Sequence, residues 1–197
     1  MARRYHSKAA VSGDVMTAIR VHDLDQAMIK GSCPLCAVLR EFQNAIIEHI
    51  DPASSGPLCN FHCWAVANSA PAMVALSVYA NMLGQTAPHS AKCVICSEIE
   101  DEDTKRVSEF IADFAKVRFA EWMNKFGTLC ISHAHRLEQT APERLRESLQ
   151  GILERNTQEI QEQLREYAEI LKSGDHSGGG VLGKAAAFLV GFRGFSS

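Results

Sequence analysis

No run in this 197-residue chain reaches the roughly 18 consecutive apolar residues that a membrane-spanning helix requires, so no span is expected. The basic start, Met1-Ala2-Arg3-Arg4-Tyr5-His6, has no apolar stretch behind it, and no secretory signal is read there. Positive charge is not in excess either. The formal net charge is −3 with histidine neutral, which offers no basic field to a phosphate backbone and argues against nucleic acid as a partner. No nucleophile elbow, phosphate-binding loop or dinucleotide fingerprint occurs, which leans against an enzyme. No series of strand-like segments occurs. These absences leave a helical, cytoplasmic protein. In that reducing compartment spaced cysteines serve metal binding or redox chemistry more often than structural disulfides.

What the chain does have is patterned cysteine. Cys33-Pro34-Leu35-Cys36 precedes Leu58-Cys59-Asn60-Phe61-His62, and Cys93-Val94-Ile95-Cys96 precedes Leu129-Cys130-Ile131-Ser132-His133. Each half reads Cys-x-x-Cys, spacer, Leu-Cys-x-x-His, and six of the seven cysteines fall in this pattern. Three thiolates and one imidazole can close a tetrahedral metal site. Two sets in order argue for two such sites, with Cys33, Cys36, Cys59, His62, Cys93, Cys96, Cys130 and His133 as the metal ligands. If each holds a divalent ion on three thiolates, the loaded protein carries −5.

The segments around the motifs read as helices. Asp14 to Lys30 is weakly periodic, with Gly31 a plausible stop. Pro34 suits the first position of a helix that runs to about Ile50, its apolar stripe set by Leu35, Val38, Leu39, Phe42, Ala45, Ile46, His49 and Ile50. The run Asp51-Pro52-Ala53-Ser54-Ser55-Gly56-Pro57 breaks it. A mostly apolar helix from Met73 to Leu83 is assigned to the core. The second spacer is read as one long helix ending at Gly127, with Val107, Phe110, Ile111, Phe114, Val117, Trp122 and Phe126 inward. It encloses 33 residues between Cys96 and Cys130, against 22 between Cys36 and Cys59. That difference is almost three helical turns, which lengthens a helix without rotating its face and supports an internal duplication. Pro142 opens a long helix to Lys172, striped by Leu145, Leu149, Ile152, Leu153, Ile160, Leu164, Tyr167 and Leu171. Residues 173–180 form a linker, and the apolar tail 181–197 is expected to make a short helix.

A cysteine pair at a helix start is favoured as thiolate by the positive helix end and its free N–H groups. The simplest pairing is local, within each half, and the crossed pairing stands beside it. Inert core cysteines and thiol–disulfide exchange are weaker readings, since neither gives the Cys-x-x-His elements a role. Zinc leads as the ion, because Cys3His is a usual closed structural site; iron–sulfur clusters are the alternative. Cys63 reads as a small buried hydrophobe, His135 as surface or outer support, and His49 as a core or boundary residue. The acidic run Glu98 to Asp103 reads as a solvated face, and Trp64, Trp122 and Phe126 as core.

The repeated Cys-x-x-Cys helix with Leu-Cys-x-x-His, followed by a long helix and a Gly-flanked apolar tail, resembles a prokaryotic family of twin-motif proteins, a domain of unknown function. The likeness covers roughly residues 24–172, with Val94 standing where proline is common. It implies the repeat and the helical fold and implies no reaction. The expectation is therefore all-α: a single helical domain over 1–172, two metal-knuckle repeats at about 24–84 and 85–140, the helix 142–172 and the tail. It acts as a binding or scaffold module for a protein partner or for self-association.

Overall fold

The computed structural model describes residues 33–53, 56–84, 92–173 and 180–191. The expected helix from Asp14 to Lys30 and its stop at Gly31 lie outside the described residues. Among the described residues are eight α-helices and no strand: α1 (Pro34–Glu48), α2 (Asn60–Ser69), α3 (Ala72–Gly84), α4 (Val94–Phe114), α5 (Val117–Phe126), α6 (Ile131–Thr140), α7 (Glu143–Lys172) and α8 (Gly180–Val190). The fold is all-α.

The described residues divide into two compact units, one formed by 40–102 and the other by 33–39 with 103–191. In the second unit α7 packs against α5, α6 and α8, and α8 packs against α6. Its core joins Leu35 at the start of α1 to Val107, Phe110 and Phe114 of α4, Met123 of α5, Leu129, Leu137 of α6, and Leu149 and Ile152 of α7. Each such side chain, fully removed from water, contributes about 1.5–3 kcal/mol. In the first unit α2 packs against α3, and Phe42, Ile47, Val66, Val78, Ile95 and Ile99 are buried.

The second spacer is two helices, not one. Lys116 is extended (φ −83°, ψ 126°) and caps the start of α5. The break has a packing cause. Phe110 and Phe114 stack at 5.9 Å, and Phe119 meets both rings edge-on at 5.4 and 6.2 Å. A straight helix turns position 119 about 140° away from position 114, so it could not serve this cluster. Re-aiming the chain at Lys116 brings Phe119 in, buries Met123 completely and leaves Val117 and Phe126 outside. The eleven extra residues therefore do not act as three plain helical turns.

Three burial expectations are also corrected. Trp64 and Phe126 are exposed, while Trp122 packs partly buried against the core. The apolar helix α3 buries only Ala75 and Val78; Met73, Leu76 and Leu83 face solvent. The acidic run is not a solvated face throughout, because Glu102 and Asp103 are buried. The long helix follows its predicted stripe most closely near Leu149 and Ile152, and burial thins toward its end, where Ile170 and Leu171 are exposed.

Candidate metal centres

All four motifs use the same local geometry. Cys59 is the N-cap of α2 and Cys130 the N-cap of α6; both are extended and neither side chain caps its helix. Cys33 and Cys93 immediately precede α1 and α4, and their carbonyls accept the first helical bonds from Ala37 and Ser97 at 3.1 Å. The second residue of every motif follows three positions later, on the same face of the first turn. Each cluster is thus a meeting of two helix N-termini, whose partial positive charge and unbonded N–H groups favour thiolate.

The eight residues come together as two groups of four, each able to hold a metal ion: Cys33, Cys36, Cys130 and His133, and Cys59, His62, Cys93 and Cys96. The pairing is nested, not local. The middle two motifs form an inner cluster within residues 40–102, and the first and last form an outer cluster in the other unit. Loop closure hardly opposes this. Local pairing closes gaps of 22 and 33 residues, nested pairing gaps of 30 and 93, and the entropic difference is only about 1 kcal/mol. Packing decides instead, because Cys33, Leu35 and Cys36 share one core with Leu129, Cys130 and Leu137.

The edges of each cage match a single ion. In the inner cluster His62 Nδ1 lies 3.3 Å from the sulfurs of Cys59, Cys93 and Cys96, and the Cys59 and Cys96 sulfurs are 3.8 Å apart. In the outer cluster His133 Nδ1 lies 3.4, 3.2 and 3.2 Å from Cys33, Cys36 and Cys130, with Cys36 and Cys130 sulfurs 3.5 Å apart. A tetrahedral ion with bonds of about 2.3 Å to sulfur and about 2.05 Å to nitrogen gives edges of about 3.8 and 3.6 Å. The observed edges equal these values or fall up to about 0.4 Å short of them, so each group could close on one ion.

Sequence reasoning missed the residues that orient the histidines. Nε2 of His133 donates to Asp103 Oδ1 at 3.1 Å, and Asp103 in turn pairs with Arg136, which also reaches the Thr104 hydroxyl at 2.6 Å. Nε2 of His62 donates to Gln43 Oε1 at 3.3 Å. Each bond fixes the tautomer that leaves Nδ1 free to ligate. Gln43 and Asp103 both fall ten residues after the first cysteine of their Cys-x-x-Cys, on α1 and α4. That shared register was the available signal. Each Cys-x-x-Cys helix therefore carries ligands for one cluster and the histidine's support for the other.

The two environments differ electrically in the ion-free protein. At the outer cluster burial alone would lower the His133 pKa, but hydrogen bonds to Asp103, Cys130 and Cys33 outweigh it and raise the imidazole to about 12. Burial would likewise raise Cys33, yet hydrogen bonds from Cys130, Cys36 and His133 hold it well below the usual thiol range, while Cys36 is pushed far up by its bonds to Cys130 and Cys33. Both directions favour the proton on His133 and the charge on Cys33, so an arriving ion must displace that proton. At the inner cluster burial lowers His62 to about 4, and burial with the neighbouring Cys93 and Cys59 raises Cys96 to about 12. There the imidazole is already neutral.

The tail also belongs to the outer cluster. Gly191 ends α8 in the left-handed region (φ 62°), its N–H bonding Ala187 O at 3.0 Å. A Cβ at this position would lie 2.9 Å from Cys130 Sγ and 3.4 Å from Cys36 Sγ. Only glycine lets the backbone close over these sulfurs. Gly191→Val is expected to destabilise the protein by about 1–3 kcal/mol. The same variant should weaken metal retention at the outer cluster only, as read by thermal melting and by metal content after dialysis.

Of the other residues singled out from sequence, none joins a cluster. Cys63 is partly exposed, one turn after Cys59, with its thiol 3.9 Å from Leu58 O. Burial and the Cys59 and Cys93 charges raise its pKa. His135 is at the surface beside Glu138, and His49 is exposed, bonded to Ala45 O. Comparison with protein families, curated proteins and solved structures finds no match for the chain.

Proposed function

We propose that the chain is a zinc protein whose two Cys3His ions, held by Cys33, Cys36, Cys130 and His133 and by Cys59, His62, Cys93 and Cys96, fasten helix N-termini together and so build a scaffold for protein binding. The observation that carries this reading is the size of the cages. The four ligand atoms of each group lie within 4.8 Å of one another, which suits one ion. The ligands of a multi-iron cluster sit on different irons and must spread farther apart. Zinc fits the donor set best, since it favours four-coordinate thiolate–imidazole sites with no open position. A site filled by four protein ligands offers no place for substrate, which supports a structural role.

The binding role is supported by exposed apolar side chains. Met73, Leu76 and Leu83 fall along one side of α3, and Trp64 of α2 is also exposed. Soluble surfaces keep few such groups together unless a protein, another copy or a different one, covers them. The matching register of Gln43 and Asp103 supports the internal duplication. Elemental analysis with a visible spectrum, on untagged protein purified without oxygen, tests the reading. About two zinc per chain and no colour is the expected result. Iron with acid-labile sulfide and a broad visible band would make the protein an electron-transfer or redox one instead.

A further inference from the structure

We propose that the inner cluster is a hydroperoxide-reactive zinc–thiolate site, in which Cys59 and Cys96 are oxidised to a disulfide and the ion is released, while the outer cluster keeps its ion. The inference rests on the zinc reading above. It comes from an inequality between clusters of the same composition. Every ligand of the outer cluster is buried: Cys33 6%, Cys36 7%, Cys130 1% and His133 4% exposed. The Gly191 backbone lies against two of its sulfurs, and the Asp103–Arg136 pair holds its histidine. Among the described residues no such cover extends over all the sulfurs of the inner cluster. Cys93 and His62 are buried, but Cys59 and Cys96 are partly exposed, and their sulfurs are 3.8 Å apart. An oxidant reaches those two first, and exposure of a thiolate governs its oxidation.

The chemistry closes on these two residues. One thiolate attacks an oxygen of hydrogen peroxide. The O–O bond breaks, a sulfenic acid forms, and the departing hydroxide takes a proton to become water. The second thiolate attacks the sulfenic sulfur, the S–O bond breaks, and that hydroxide also leaves as water after taking a proton. Two thiolates have lost two electrons in total and one peroxide has gained them. The new bond needs the sulfurs to approach to about 2.05 Å, a closure of less than about 2 Å. The ion is left with Cys93 and His62 alone and dissociates. A small thiol reductant reverses the disulfide and restores the site.

The test uses the full chain after its zinc content is measured, so that a wrong metal is seen before any oxidant is added. Hydrogen peroxide is added with a chromophoric zinc chelator present, and the disulfide is mapped by mass spectrometry. Release of one of the two ions, with a Cys59–Cys96 disulfide and Cys33, Cys36 and Cys130 unmodified, supports the proposal. Release of both ions together, release of neither, or a disulfide among the outer cysteines overturns it. The Cys63→Ser variant, which leaves all eight ligands in place, should release the same single ion at an unchanged rate. Loss of the reaction in that variant overturns the assignment to Cys59 and Cys96.

Discussion

Stripping both ions from the folded protein with a strong chelator is expected to abolish most of its helical signal. Apparent binding free energies of structural zinc are about 10–16 kcal/mol per site near neutral pH, comparable with or above the 5–15 kcal/mol, roughly, that holds a domain folded. The outer cluster should matter more, because its cysteines are part of the hydrophobic core itself. Without an ion, the three sulfurs and the His133 ring can satisfy only one another among apolar neighbours. Cys130→Ser, at a residue 1% exposed, is therefore expected to lose more helicity than Cys59→Ser at a partly exposed one. Circular dichroism alongside metal analysis decides this. A metal-free chain with undiminished helicity would remove the structural role.

The second large effect lies outside the ligands. Asp103→Ala is expected to weaken zinc binding at the outer cluster by about 10–100-fold, the usual consequence of removing a histidine's carboxylate partner. Truncation also leaves His133 Nε2 without its acceptor and Arg136 without its counterion. Gln43→Ala removes a neutral amide from His62 and should cost the inner cluster less. Asp103→Asn, which keeps an oxygen acceptor without the charge, should fall between the two. Competitive zinc titration resolves the three. Equal losses in Asp103→Ala and Gln43→Ala, with little loss in Asp103→Asn, would mean that the carboxylate charge does nothing beyond holding the ring.

How much of this was legible in the sequence depends on what each inference rested on. The eight clustered residues could be read because ligand chemistry is local: three-residue spacing at a helix start puts two donors on one face whatever the rest of the chain does. Which pair met which could not, because the nested and local pairings differ by about 1 kcal/mol in closure entropy. The choice is made by packing, through Leu35, Leu129 and Leu137. The break at Lys116 was hidden for a related reason. Val117 continues the helical stripe in sequence, and only the ring cluster of Phe110, Phe114 and Phe119 turns the chain away from it. Asp103 was lost within an acidic run that is exposed at Glu100 and Asp101, since burial of two acids among several leaves no mark on composition. The contact of Gly191 with two sulfurs is tertiary, and its sequence shows only a glycine after an apolar helix.

The most direct measurement is anomalous diffraction at the zinc absorption edge from crystals of the purified protein. The account predicts two peaks per chain, one among Cys33, Cys36, Cys130 and His133 and the other among Cys59, His62, Cys93 and Cys96. A peak joining Cys33 and Cys36 to Cys59 and His62, or a signal at the iron edge in place of zinc, would contradict it.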